Sequence, residues 1–203
     1  MYLLDKRCDI KFSTTACFIV DFMSIYWDSV NRRYFMQKLI IVMSIVVTVG
    51  CSGLSAQEGT LSATMNKVTA TGTAESVGTV SFRDSEHGLI IEPNLAGLTP
   101  GPLGAHVHQN PDCGPGADGT PAGAAGTHID PNTTGKHQGP YGQGHMGDAP
   151  NLIVEQDGSV KLPVLAPRLK LADLSGRSFM IHAAKDDYNE QPGGGRAYCG
   201  IIR

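Results

Sequence analysis

The chain has 203 residues, 41% of them hydrophobic, and a formal net charge of −3, which suits one domain of moderate size plus an additional segment. That balance argues against a nucleic-acid binder, which would carry a basic excess. The strongly apolar run, Leu39 to Val49, is about half the length that spans a bilayer.

That run follows Met36-Gln37-Lys38 and leads into small residues up to Ala56, the form of an export signal that starts at Met36. Residues 36–56 are therefore read as a signal segment, with an anchor retained in the mature protein as the alternative. Residues 1–35, which include Cys8 and Cys17, are then an over-called start or an atypical leader. Cys51 in "TVGCSG" is similar to a bacterial lipoprotein processing site, although the threonine three positions before it departs from the usual aliphatic residue. Cleavage after Ala56 is the ordinary alternative. The folded domain is expected over residues 57–203, exported and either soluble or lipid-anchored through Cys51.

From Gln57 onward there are 10 Lys or Arg and 15 Asp or Glu among 147 residues. A domain of that size buries roughly two-thirds of its potential surface unaided. Two cysteines remain there, Cys113 and Cys199, and an oxidising compartment makes a disulfide their default reading.

Thr60 to Val68 and Gly78 to Arg83 are short, rich in Thr and Val, and bounded by glycine turns, which predicts strands. "HGLIIEPNLAGLTPG" predicts another, ended by proline, and "GAHVHQ" alternates with period two. After a long polar loop come predicted strands at Asn151 to Glu155, Ser159 to Leu162, Ser178 to His182 and Ala197 to Ile202, with a proline-marked loop containing "LKLADLSG". No window of adequate length carries a helical stripe. Many short strands between Gly and Pro turns point to an antiparallel sandwich or barrel.

In "AHVHQ", His106 and His108 lie two apart on a predicted strand, so both rings face one side while Val107 faces the other. Two incidental histidines on a polar strand face would give the same pattern. The stretch "AGTHIDPNTTGKHQGPYGQGHMGDAP", from Ala125 to Pro150, makes that reading costly. Its His128, His137, His145 and Asp148 suit zinc, and three imidazoles with one carboxylate close a tetrahedron without leaving an open position. A metal would thus hold this loop as an apolar core holds other segments. His182 ends "SFMIH" and taken alone reads as a core or rim histidine. Asp186, four residues on, is a carboxylate able to fix the tautomer of a ligating histidine. Arg196 is the prominent charge of the last strand region.

"GAHVHQNPDC", "AGTHIDPNTTGKHQGPYGQGHMGDAPNL", "FMIHAAKDDY" and "GGGRAYCGII" together resemble, in order, the motifs of the copper/zinc superoxide dismutases in their bacterial exported form. The resemblance runs from about Val77 to Ile202. It implies an all-β fold: an eight-stranded antiparallel Greek-key β-barrel, of immunoglobulin-like sandwich architecture, with long metal-binding loops. It implies one copper per subunit on His106, His108, His128 and His182, and one zinc on His128, His137, His145 and Asp148, with His128 bridging the two. Asp186 would link the sites, Arg196 would guide the anion, and Cys113 would pair with Cys199.

The implied activity is disproportionation of superoxide to oxygen and hydrogen peroxide, with copper cycling by single electrons and His128 handing a proton to the product. The implied partner is the superoxide anion, with a possible homodimer. Three departures bear on rate and stability and remove no ligand. They are Ala105 where relatives usually carry a large residue, Lys185 where many carry a small one, and the Gly/Ala-rich "GPGADGTPAGAAG" before His128. A non-catalytic metal-binding protein on the same scaffold is the competing reading, and it would be expected to lack a copper ligand or the arginine.

Overall fold

The computed structural model describes residues 59–189 and 193–203. The expected signal segment, its start, Cys51 and the expected cleavage point at Ala56 lie outside the described residues. Eight strands run in chain order: β1 (Thr60–Thr69), β2 (Gly72–Ser85), β3 (Gly88–Leu95), β4 (Gly101–His108), β5 (Asp148–Val154), β6 (Val164–Ala166), β7 (Ser178–His182) and β8 (Arg196–Ile201). Neighbouring strands pair antiparallel in the order β5-β4-β7-β8-β1-β2-β3-β6, and β5 meets β6 to bring the ends of the sheet together. Because β4 pairs with β5 and β7, and β3 with β6, the connections cross the ends of the barrel in Greek-key fashion. The expected eight-stranded barrel is thus the observed one.

Period-two patterning builds the wall. In β3 the side chains of Leu89, Ile91, Pro93 and Leu95 are buried while Ile90, Glu92 and Asn94 are less so. In β1 the buried set is Ala63, Met65 and Val68, and the slip in phase coincides with register shifts after Met65 and after Asn66, the signature of a bulge. Phe82 and Phe179 meet edge to face in the interior with centroids 5.3 Å apart, a favourable aromatic geometry.

Two expectations differ from the structure. The predicted strand at Ser159 to Leu162 does not form: only Val160 bridges, to Leu95, which is the last residue of β3. The pairing strand comes later, at Val164–Ala166. β3 also passes through Pro93 instead of ending there. Leu95 donates its N–H toward Val160, so Pro93, two residues earlier, faces that same side, where β6 reaches only as far as Ile91. The N–H that proline lacks has no partner to serve at that point.

One long excursion leaves the barrel between β4 and β5. It holds a short 3₁₀ turn (Gly123–Ala125), and then runs without a strand or helix to Asp148. Its ends are stitched to β4: Gln109 N–H donates to Thr127 O, Ile129 N–H to Val107 O, and Val107 N–H to Gly147 O. A side chain at Gly147 would meet Val107 O at 2.3 Å, so only glycine lets the returning chain lie this close. The disulfide Cys113–Cys199 joins the same excursion to β8, closing a separation of 86 residues. No helix among the described residues is long and apolar enough to cross a membrane.

Candidate metal centre

Six histidines and two aspartates converge beside β4. His106, His108 and His182 ride on β4 and β7, whose register places His106 opposite Met180 and His108 opposite Ser178. His128 reaches them through the bridge His108↔His128, and its ring stacks on that of His106 with centroids 4.0 Å apart. His137 and His145 come from the loop and Asp148 from the start of β5. His106, His108, Asp148, His182 and Asp186 are each at most 3% exposed.

The ligating atoms form two groups whose members lie within 4.8 Å of one another: His106, His108, His128 and His182, and His106, His128, His137 and Asp148. His145 stands just outside the second group, with Nδ1 3.7 Å from Asp148 Oδ1.

The hydrogen bonds leave nitrogens free in a pattern. His108 Nδ1 donates to Gly126 O at 3.0 Å and His182 Nδ1 to Gly194 O at 2.8 Å, so in each ring Nε2 carries the lone pair. His106 is reversed: its Nε2 bonds Asp186 Oδ2 at 2.7 Å. Buried and without any partner are His106 Nδ1, His108 Nε2 and His182 Nε2 on one side, and His137 Nδ1 and His145 Nδ1 on the other. Burying such a polar atom unpaired is costly, and so many converging on two points fit two metal ions. His137 Nδ1 lies 3.1 Å from Asp148 Oδ1 without the geometry of a hydrogen bond. His106 Nε2 is already committed to Asp186, whereas His145 Nδ1 has no partner.

Asp186 joins the two groups, accepting from His106 and from His137 Nε2, the latter at 2.8 Å. It is itself fixed: its N–H donates to Asn151 Oδ1, Asn151 Nδ2 donates to its carbonyl, and Tyr188 N–H donates to its carboxylate. Tyr188 Oη in turn accepts from Asn151 N–H at 2.8 Å.

The two sides carry opposite electrostatics. Burial pushes His106 down to about 3 and His182 down to about 4, and holds His108 well below the usual histidine value. These rings are neutral and ready to donate a lone pair. Burial also lowers His137, but the hydrogen bond to Asp186 and the charges of the Asp148 and Asp186 carboxylates outweigh it and raise that ring to about 9. For Asp148 and Asp186 burial works upward and loses to the histidine hydrogen bonds, which hold both carboxyls far below their ordinary range.

Arg196 stands at the rim of the first group. Its guanidinium donates to Ala122 O and Gly126 O, each at 2.6 Å, and its charge contributes to lowering His108 and His182. The Gly126 carbonyl serves both Arg196 and His108, so the cation, the ring and the glycine-rich segment share one fixed point. The structure places the expected His106, His108, His128, His137, His145, Asp148, His182, Asp186 and Arg196 in this region, and the expected Cys113 and Cys199 in the disulfide. Arg168, Asn151 and Tyr188, which hold the centre from outside, have no spacing or motif that marks them.

Residues 76–202 match the family model described as copper/zinc superoxide dismutase. A Cu-Zn superoxide dismutase of Salmonella typhimurium is 45% identical over 177 residues, covering 82% of this chain and 99% of its own. That of Escherichia coli is 39% identical over 173 residues, covering 81% and 97%. Among solved structures, the Cu/Zn superoxide dismutase from Brucella abortus superposes with a TM-score of 0.69 at 44% identity, covering 71% of this chain and 100% of its own. With a family model spanning most of the barrel and two groups of free imidazole nitrogens that suit one copper and one zinc, the chain belongs to the copper/zinc superoxide dismutases, enzymes that disproportionate superoxide to oxygen and hydrogen peroxide.

Proposed function

We propose that His106, His108, His128 and His182 hold the copper and that His128, His137, His145 and Asp148 hold the zinc. The observation that carries this is the set of buried imidazole nitrogens without partners, three on His106, His108 and His182, which cluster with His128, and two on His137 and His145, both within 3.7 Å of Asp148 Oδ1. Copper, when bound, supplies the one-electron couple that oxidises one superoxide and reduces the next.

His108 and His182 keep Nε2 as the ligating atom because Gly126 O and Gly194 O hold the proton on Nδ1. Asp186 does the same for His106 and His137 from between the sites. His128 has Nδ1 turned to Asp148 Oδ1, which leaves Nε2 to carry a proton to the departing peroxide. Arg196 binds no metal; it offers two-handed, permanent positive charge to an anion approaching the copper side. Metal analysis and cupric spectroscopy on His182→Ala test the assignment: copper is lost and zinc retained if it is right, whereas retention of the native cupric spectrum would overturn it.

The protein is further proposed to work in the bacterial periplasm after removal of the segment up to Ala56 or processing at Cys51. The signal-like sequence and the disulfide of the folded domain support an oxidising compartment. Mass spectrometry of the mature N-terminus decides between a free terminus after Ala56 and a lipid on Cys51, and an intact Met36 would contradict both. Self-association as a homodimer is supported by the exposed Ile153, Leu162 and Leu165 near the β5–β6 junction. A solved Salmonella enterica relative, 45% identical, is monomeric. A sedimentation mass of one chain would place this protein with it.

A further inference from the structure

We propose that Arg168 is a positioning residue that holds the zinc-side loop in ligating shape before any metal arrives. This rests on the reading that His128, His137, His145 and Asp148 hold zinc.

Arg168 lies two residues beyond β6 and is half-buried. Its neighbour Leu169 is fully buried in the core, so the guanidinium is mounted on the barrel wall. Its donors run to loop carbonyls: Nε to Pro140 O at 3.2 Å, Nη1 to Gly144 O at 2.9 Å, and Nη2 to Gly139 O at 3.2 Å and to His145 O. The acceptors all fall within residues 139–145, a stretch with no strand or helix to satisfy them. A planar fork of five N–H groups can collect carbonyls arriving from several directions, which the three donors of a lysine on one point charge cannot match.

Each bond bears on a ligand. Gripping His145 O and Gly144 O fixes the backbone on both sides of the His145 amide, which itself donates to Lys136 O at 2.8 Å. Gripping Gly139 O fixes the residue whose N–H donates to Asp148 Oδ2 at 3.1 Å. A side chain at Gly144 would meet Lys136 O at 2.2 Å, so the loop is closed as tightly as backbone allows around this cation. Arg168 thus touches no ligating side chain and still sets where His145 and the Asp148 carboxylate stand.

The test compares wild type, Arg168→Met and Arg168→Lys in two measurements. In the metal-free protein, hydrogen exchange over residues 136–148 should quicken in Arg168→Met, with the His145 amide most affected, while β4 and β7 keep their protection. In the reconstituted protein, competition with a chelator should show zinc affinity falling roughly 10-fold to 100-fold with copper affinity unchanged. Arg168→Lys, which keeps the charge and loses the fork, should fall between. Unchanged exchange and zinc affinity in Arg168→Met would overturn the proposal, as would a parallel fall of both metals, which would mark a general structural role. Zinc absent from wild type would sink the zinc assignment instead, and the exchange data on the metal-free protein would still decide the grip of Arg168.

Discussion

The two sides of the centre, proposed for copper and for zinc, are organised by different physics. His106, His108 and His182 sit on β4 and β7, where the ladder between two buried strands sets their positions and burial keeps the rings neutral. His137 and His145 sit on a loop without regular structure, placed by carboxylates and by the carbonyl grip of Arg168. The contrast teaches that a pre-formed ligand set can come from a sheet, which fixes direction through its pleat, or from a polar frame, which fixes it through charge. His128 stands between, carried by the loop and pinned to the end of β4.

The largest expected effect comes from breaking the sheet-borne side. His182→Ala should reduce dismutation to the background of free protein and remove the cupric spectrum, with zinc content intact, as read by metal analysis and a superoxide assay. Breaking the polar frame should act the other way: Asp148→Ala should cut zinc affinity by about 100-fold or more, since three ligands leave the tetrahedron open, and expose residues 128–150 to protease. Unchanged zinc content and cleavage would mean that the loop is held without zinc.

His106 and His108 are legible in the sequence because a strand has period two, so an HxH pair shares a face whatever surrounds it. The loop ligands are legible because a polar stretch dense in imidazoles and turn residues has no other evident use. Arg168 is not legible, since a cation two residues past a three-residue strand carries no period and its partners are backbone carbonyls that any sequence offers. For the same reason the loop's order looks in the sequence like the work of the metal alone, whereas the structure adds the Arg168 grip and the Asp186–Asn151–Tyr188 frame. The misplaced strand at Ser159 to Leu162 fails because β-propensity does not reveal where a partner strand ends.

Smaller effects sharpen the contrast. Substituting Arg196 by serine should leave both metals bound, lower the rate constant by roughly 10-fold and flatten its dependence on salt, as measured by stopped flow across a salt series. Parallel curves of equal height would remove its guiding role.

Proton linkage should also separate the sides in the metal-free protein. His106 and His182 have folded values of about 3 and about 4, below the ordinary 6.5, so their contribution to stability is present above 6.5 and is lost as pH falls through about 4. His137, raised from 6.5 to about 9, contributes fully below 6.5, and that contribution is lost as pH rises through about 9. Zinc uptake near neutral pH should therefore release about one proton from His137, and copper uptake fewer, as calorimetry in buffers of different ionisation enthalpy can count. Equal release from both sides would contradict the opposite electrostatics.

The most direct test is anomalous diffraction from crystals of the fully loaded protein at the copper and zinc absorption edges. Two separate peaks should appear, copper within bonding distance of His106 Nδ1, His108 Nε2 and His182 Nε2, and zinc about 2.0–2.2 Å from His137 Nδ1, His145 Nδ1 and an Asp148 oxygen, with the His128 ring between them. A single shared peak, or copper on the loop-borne nitrogens, would contradict the division of the centre into a sheet-held and a loop-held half.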